Sequence, residues 1–179
     1  MNRFLLPLGL FVLLAVVLAV GIVHSPTKGL IASPLLGKPA PSFSLPDLAD
    51  PSHQVRSVDL RGHWYLFNVW ATWCGECRAE HEMLLKVQRA GVVPLVGLDW
   101  KDDSAQALTW LKQLGNPYQA VAVDSSGREA IDWGVYAAPE TFLVNPQGIV
   151  VFKQIGALTD EAWTREILPR IAPPRAAGS

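Results

Sequence analysis

Hydrophobic residues are densest at the N-terminus, where residues 4–23 form a run without a charged side chain. As an α-helix, a run of about 20 residues spans roughly 30 Å, the thickness of the hydrocarbon core of a bilayer. Pro7 and Gly9 do not argue against such a helix, because membrane helices tolerate both residue types. The pattern therefore predicts a single transmembrane anchor at residues 4–23, which follows a short cytoplasmic N-terminus at residues 1–3.

A cleaved signal peptide is the alternative interpretation of this run. The apolar region of a signal peptide is usually about 7–15 residues long, and a small-x-small site follows it. Ala19 and Gly21 form such a pair, so cleavage stays open, whereas the absence of a cysteine after the run excludes a lipoprotein anchor. Arg3 favours a cytoplasmic start, although Lys28 and Lys38 on the other side weaken this bias. We expect the rest of the chain to lie outside the cytoplasm.

The remainder of the chain is long enough for one domain with its own core. Residues 24–41 are rich in Pro, Gly and Ser and are interpreted as a linker. Residues 42–172 are the predicted domain, and residues 173–179 are predicted to form a flexible tail.

Within residues 42–172, short apolar runs alternate with segments of helical composition. Gly91 ends one predicted helix, Asp102 or Asp103 can cap the next, and Asn145–Gly148 is typical of a hairpin turn. This alternation predicts an α/β fold whose central sheet is partly parallel. The predicted strands are 43–45, 55–58, 64–70, 92–98, 120–123, 141–144 and 149–154, and the predicted helices are 74–90, 104–114, 128–133 and 159–171.

Composition and charge narrow the class of protein. Hydrophobic residues make up 50% of the chain, charged residues 17%, and the formal net charge is -1, as in ordinary folded proteins. A sequence pI of about 6.4 leaves no basic excess, so nucleic acid is not an expected partner. The 2 cysteines lie three positions apart. A disulfide at that spacing closes almost no loop and stabilises little, so a reactive pair is the better interpretation.

Cys74 and Cys77 lie where a predicted buried strand turns into a helix. The first turn of a helix has unpaired N–H groups and the positive end of the helix dipole, which stabilise a thiolate. Cys74 can therefore attack a disulfide, and Cys77, one turn along, can resolve the mixed disulfide. Glu76 between them adds a negative charge that disfavours the thiolate. Because a less stabilised thiolate gives electrons more readily, we expect a reductant.

Other roles for such a pair fit less well. A zinc site would need a second pair, and haem attachment would need a histidine where Arg78 stands. Metal binding by Cys74, Cys77 and His81 is feasible, because Cys77 and His81 are one helical turn apart. A copper-delivery module therefore stays an alternative function.

Longer motifs surround and follow the cysteine pair. They are Asn68–Trp73, Cys77–His81, Lys101–Asp103, Trp110–Tyr118 and Gly134–Leu143. With Trp-Cys-x-x-Cys they resemble the thioredoxin superfamily and, within it, the CcmG/DsbE family, which are membrane-anchored periplasmic proteins of cytochrome c maturation. The resemblance implies a thioredoxin fold, a mixed central sheet flanked by helices, with an N-terminal β-hairpin extension and an insertion around residues 99–118.

The resemblance also implies roles for single residues. Pro139 matches the family's cis-proline, which faces the cysteines and helps to dock the substrate backbone. Glu80 matches an acidic residue beside the active site, which suits proton transfer near Cys77. Glu140 is expected to shape the substrate groove, and Trp73 is expected to shield the nucleophile.

The chain departs from ordinary thioredoxin at three places. Asn68 stands where thioredoxin has a buried aspartate, so proton transfer has to come from elsewhere, which gives Glu80 more weight. The dipeptide between the cysteines is Gly-Glu rather than Gly-Pro. Ala137 stands where relatives often have glycine, a change expected to affect substrate fit rather than chemistry.

The function implied by the resemblance is reduction of the haem-binding cysteines of apocytochrome c, directly or through a maturation thiol protein. A membrane thiol reductase would be the electron donor, residues 4–23 would contact the lipid bilayer, and no cofactor or metal is expected. The protein would be a single-pass protein of the bacterial inner membrane with its domain in the periplasm. The alternatives are a general periplasmic disulfide reductase or peroxide-handling thiol enzyme, and the copper-delivery module.

Overall fold

The computed structural model describes residues 5–23 and 33–171, and the chain divides into two compact units, residues 1–31 and 32–179. Part of the predicted linker and the predicted tail at 173–179 lie outside the described residues. In the first unit, helix α1 runs from Leu5 to Val23. Among the residues that the structure describes, no helix has both the length and the apolar character that membrane crossing requires.

The second unit is built on a mixed sheet of five strands in the order β5-β4-β3-β6-β7. Strand β3 is parallel to β4 and β4 to β5, whereas β6 runs antiparallel to both β3 and β7. A separate pair, β1 and β2, forms the expected N-terminal hairpin. The strands are β1 (Ser44–Pro46), β2 (Gln54–Arg56), β3 (Tyr65–Trp70), β4 (Leu95–Trp100), β5 (Ala120–Asp124), β6 (Glu140–Val144) and β7 (Val150–Ile155).

The helices begin and end where local signals place them. Cys74 caps the N-terminus of α2, and Gly91 ends that helix with φ 63°, a left-handed conformation that favours glycine. The side chain of Asp103 caps α3 by accepting a hydrogen bond from the backbone N–H of Gln106 at 2.9 Å. The helices of this unit are α2 (Gly75–Ala90), α3 (Ser104–Leu114), α4 (Arg128–Asp132) and α5 (Leu168–Ile171).

Alternate residues of the central strands face opposite sides of the sheet, as strand geometry requires. In β3, Leu66 and Trp70 pack in a core cluster that includes residues of α2 and α3. Phe67 and Val69 point the other way, into a second cluster with residues of α4 and the hairpin. The sheet is therefore covered on both faces, which suits parallel strands.

The β1–β2 hairpin protects the β5 edge of the sheet. The Leu48 N–H donates to the carbonyl of Val121 at 2.8 Å, and Asp47 forms an antiparallel bridge with Ala122. An exposed edge strand invites pairing with other chains, and this contact blunts that edge.

Four segments differ from the sequence prediction by more than one residue. The predicted strand at 55–58 ends at Arg56, and Ser57–Leu60 form a 3₁₀-helix. Residues 37–40, inside the predicted linker, form backbone hydrogen bonds with residues 148–150. Strand β4 begins at Leu95 rather than Val92, because Pro94 has no N–H to contribute to the ladder. The final helix begins at its predicted cap Thr159, but residues 162–167 form a π-helix.

Candidate active site

The two cysteines occupy the junction between β3 and α2. They form a disulfide with a Cα–Cα distance of 5.3 Å, and their side chains are 6% and 1% exposed. The Cys77 N–H donates to Sγ of Cys74 at 3.0 Å. An N–H at the first turn of α2 is therefore aimed at the sulfur that would carry the thiolate charge, which favours nucleophilic attack by Cys74.

Trp73 stands on the surface immediately before the nucleophile and is 56% exposed. Its indole Nε1–H donates to the carbonyl of Lys101 at 3.1 Å, and its ring contacts Trp100 with centroids 5.6 Å apart. A cleft of about 690 Å³ lies beside it, lined also by Thr72, Asp102 and residues of α3. The Trp73 side chain is thus held against the loop after β4, and its shielding of Cys74 stays a prediction.

The peptide bond between Ala138 and Pro139 is cis, as expected. Because β6 is antiparallel to β3 with Glu140 opposite Val69, Pro139 lies at the carboxyl end of β3, where the cysteine motif begins. The Pro139 carbonyl accepts a hydrogen bond from the Gly156 N–H at 2.9 Å.

Glu80 is a buried carboxyl on α2, only 2% exposed. Its Oε1 accepts a hydrogen bond from Nδ2 of Asn68 at 3.0 Å, and its Oε2 accepts from the Leu158 N–H at 2.6 Å. Burial raises the pKa of Glu80 to about 7, against the two hydrogen bonds, which lower it. Since Glu80 follows Cys77 by three residues on the same helix, it can exchange a proton near that cysteine at neutral pH.

Asn68 connects this carboxyl to the rest of the sheet. Besides donating to Glu80, its Nδ2 donates to Oγ1 of Thr141 at 3.0 Å, and its Oδ1 accepts from the hydroxyl of Tyr118 at 2.7 Å. Sequence reasoning missed Thr141 and Tyr118 as supporting residues. The available signal was a polar Asn68 inside an otherwise apolar buried strand, since buried amides need partners.

Glu140 lies in a buried ion pair, and its expected role in shaping the substrate groove stays a prediction. Its Oε2 is 2.8 Å from Nζ of Lys153, and the side chains are 0% and 3% exposed. Burial raises the pKa of Glu140, and Lys153 opposes this shift. Nζ of Lys153 also donates to the carbonyl of Gly134 at 3.0 Å. The pair thereby fixes the segment that leads to Pro139, and sequence reasoning missed Lys153.

His81 does not join the cysteines as a metal ligand in this oxidised structure. Its Nε2–H donates to the carbonyl of Gly115 at 3.0 Å, and its ring packs edge-on against Trp110. Across residues 5–23 and 33–171, no group of three His, Cys, Asp or Glu side chains is arranged to hold a metal ion.

Comparison with known proteins gives consistent matches over most of the chain. The model of the AhpC/TSA family matches residues 36–153. The thiol:disulfide interchange protein DsbE of Allochromatium vinosum is 45% identical over 171 residues, which cover 96% of this chain and 93% of that protein. The protein of the same name from Pseudomonas aeruginosa is 42% identical over 165 residues, covering 92% of this chain and 90% of that protein.

Solved structures agree with the fold described above. A crystal structure assigned to a DsbE thiol:disulfide interchange protein of Chlorobium tepidum superposes with a TM-score of 0.67 at 26% identity. The match covers 76% of this chain and 98% of that one. The cysteine pair, the thioredoxin-like sheet and these relatives lead to one conclusion: the chain belongs to the AhpC/TSA family and to the DsbE thiol:disulfide interchange proteins, and it is a thiol–disulfide oxidoreductase.

Proposed function

We propose that this protein reduces the disulfide of the haem-binding cysteines of apocytochrome c, directly or through a partner thiol protein of the maturation system. The observation that carries the proposal is the Cys74–Cys77 pair at the start of α2, followed one turn later by the buried carboxyl of Glu80, whose pKa burial raises to about 7. A carboxyl of that pKa can take a proton from a thiol at neutral pH, as reduction of a substrate disulfide requires.

The reaction would run in two exchange steps. The Cys74 thiolate attacks one sulfur of the substrate disulfide, which forms a mixed disulfide and releases the other sulfur as a thiolate. Cys77, after losing its proton to Glu80, attacks Sγ of Cys74 and expels the second substrate sulfur. The substrate gains two electrons and two protons, and the Cys74–Cys77 disulfide forms. A membrane thiol reductase would then return the pair to the dithiol.

The surroundings of the pair suit a polypeptide substrate. Pro139 lies at the carboxyl end of β3, where the cysteine motif begins, and the exposed Trp73, which precedes Cys74, lines a cleft of about 690 Å³. In this proposal the substrate backbone docks at Pro139, Trp73 shields the mixed disulfide, and the Glu140–Lys153 pair holds the Pro139 segment in place.

The proposal includes a location. The uncharged run at residues 4–23 supports a single-pass anchor in the bacterial inner membrane, with the enzymatic unit in the periplasm. An anchor would keep the unit close to a membrane thiol reductase and to its substrate, which raises the effective concentration of both.

Trapping of mixed disulfides tests the proposal. In the full chain, Cys77→Ser leaves a nucleophile that attacks but cannot be displaced, so partners should accumulate on Cys74 in native membranes. We expect apocytochrome c or one maturation thiol protein among the captured partners. The double variant Cys74→Ser/Cys77→Ser is the matched control and should capture neither.

Other outcomes would contradict the proposal and select its alternatives. Capture of many unrelated periplasmic proteins would indicate a general disulfide reductase, and rapid turnover of peroxide by the wild-type dithiol would indicate a peroxide-handling enzyme. Empty traps, together with copper binding that His81→Ala abolishes, would indicate the copper-delivery module.

A further inference from the structure

The carboxyl end of β4 carries a buried acid that the exchange reaction does not explain. Asp99 lies opposite Trp70 in the register of β3 and β4, on the sheet face that packs against α2 and α3. Its side chain is 0% exposed, and within the described part of the chain no donor reaches either carboxyl oxygen. A buried carboxylate without donors is unstable, so the protonated form of Asp99 is the one that this site favours.

The neighbouring acid has the opposite surroundings. Oδ2 of Asp102 accepts a hydrogen bond from the Thr72 N–H, and its Oδ1 accepts from the Thr72 hydroxyl at 2.7 Å and from the Asp103 N–H at 2.8 Å. Three hydrogen bonds therefore hold the Asp102 carboxyl group against the backbone and hydroxyl of Thr72 and the start of α3. Asp102 follows Asp99 by three residues, and its carboxyl group adds to burial in raising the pKa of Asp99, so a protonated Asp99 can donate to the Asp102 carboxylate.

We propose that Asp99 and Asp102 form a proton-sharing acid pair that positions Thr72 and Trp73 in front of Cys74. The loop after β4 holds both of these residues, since Asp102 binds Thr72 and the Lys101 carbonyl accepts from Trp73. The proton on Asp99 fixes the Asp102 carboxylate, and the carboxylate fixes the active-site segment. The inference rests on exchange chemistry at Cys74 and is independent of the apocytochrome c substrate proposed above.

The charges around the pair set its response to pH. Burial, followed by the negative charges of Asp102 and Asp103, raises the pKa of Asp99 to about 7. Tyr118 faces this side of the sheet, and burial followed by the charges of Glu80 and Asp99 raises its pKa well above the ordinary value. Lys101, the adjacent cation, extends instead over the Trp100 ring and Gly127. Above neutral pH, Asp99 therefore releases its proton to solvent, and the two carboxylates repel each other.

The Thr72 amide resonance reports directly on this pair. In the oxidised full-length protein, labelled with ¹⁵N in detergent micelles, we expect this resonance to follow a one-proton transition near pH 7. Asp99→Asn should abolish the transition, because the amide still donates to Asp102 but no longer titrates. Glu129→Gln is the matched control: Glu129 is also a buried acid with a pKa of about 7, but it hydrogen-bonds Trp133. It should leave the transition unchanged.

A second variant and a rate measurement separate positioning from general stability. Asp102→Asn removes a negative neighbour of Asp99 and should move the transition to lower pH. For reduction of a peptide disulfide, the rate ratio of wild type to Asp99→Asn should be constant below pH 6 and fall at least about threefold above pH 8, as small misplacements in active sites do. A flat ratio would overturn the proposal, as would a Thr72 transition that is missing in wild type, persists in Asp99→Asn or disappears in Glu80→Gln.

Discussion

Burial decides the chemistry of individual acids in this molecule. Glu76 and Glu80 lie one turn apart on α2, but Glu76 is exposed to solvent, whereas Glu80 is 2% exposed and has its pKa raised to about 7. Spacing alone does not distinguish the two carboxyl groups, whereas the hydrogen bonds from Asn68 and Leu158 to the buried Glu80 do. A carboxyl group that titrates near the working pH is suited to general acid–base catalysis.

At this residue scale, replacement of Glu80 by glutamine should slow exchange. We expect the rate constant for reduction of a peptide disulfide to fall by a factor on the order of 10², the lower end of general acid–base contributions. The wild-type pH–rate profile should show a step near pH 7, and this step should be absent in the Glu80 variant. The measurement is stopped-flow fluorescence of the reduced full chain between pH 5.5 and 8.5.

Glu82→Gln provides the control for this substitution. Glu82 lies on the same helix, is exposed and pairs with Arg89, so its replacement should change neither the rate nor the profile. Glutamine at position 80 would leave one of the two N–H donors, from Asn68 or Leu158, without an acceptor. The stability of the Glu80 variant therefore has to be measured alongside its rate. A Glu80→Gln protein with wild-type kinetics would contradict the assigned role.

At the scale of elements, prediction from the sequence succeeded where the signal was local. Helix α3 begins and ends at the predicted residues, because Asp103 caps one end and Gly115 interrupts the other. The reactive pair, its place between strand and helix, and the cis bond before Pro139 followed from short motifs. The π-helix at residues 162–167 was not predicted.

Partners distant in the chain could not be predicted in the same way. Asn68 bonds with Tyr118, 50 positions away, and Glu80 bonds with Leu158, 78 positions away. Periodicity shows which residues face a core, but it does not show which residues meet there. The role of Lys153 was not predicted for the same reason. An isolated lysine in a predicted strand indicates a solvent-facing position, whereas in the structure Lys153 is buried and pairs with Glu140.

The Glu140–Lys153 pair links β6 to β7, and its loss should weaken that part of the sheet. Lys153→Met leaves the Glu140 carboxyl buried without its cation, so we expect the free energy of unfolding to fall by about 3–5 kcal/mol. Combining it with Glu140→Gln should recover much of this loss, since no unpaired charge is left. Denaturant unfolding of the oxidised full chain measures the free energy of unfolding of the single and the double variant. A Lys153→Met protein whose free energy of unfolding lies within about 1 kcal/mol of wild type would argue against a structural role for the pair.

For the whole molecule, three buried acids act together on stability. Glu80, Asp99 and Glu129 lie in different parts of the fold, on α2, β4 and α4, and burial raises the pKa of each to about 7. In the unfolded chain the same groups would titrate near pH 4. Between these limits the folded protein holds protons that the unfolded chain has already released.

That difference in proton binding fixes the sign of the pH dependence. Because the folded state binds more protons, the free energy of unfolding of the oxidised protein should decrease as pH rises from about 4.5 to 7. The expected slope in this range is about 1.4 kcal/mol per pH unit for each acid, and the curve should level off above pH 7. Glu129→Gln should flatten the curve without touching the active site, because glutamine can still accept the hydrogen bond from Trp133. Urea unfolding at pH 5 and pH 8 distinguishes the outcomes: a wild-type protein more stable at pH 8 than at pH 5 would show that these acids are ionised in the folded state, and proton transfer through Glu80 at neutral pH would then lose its basis.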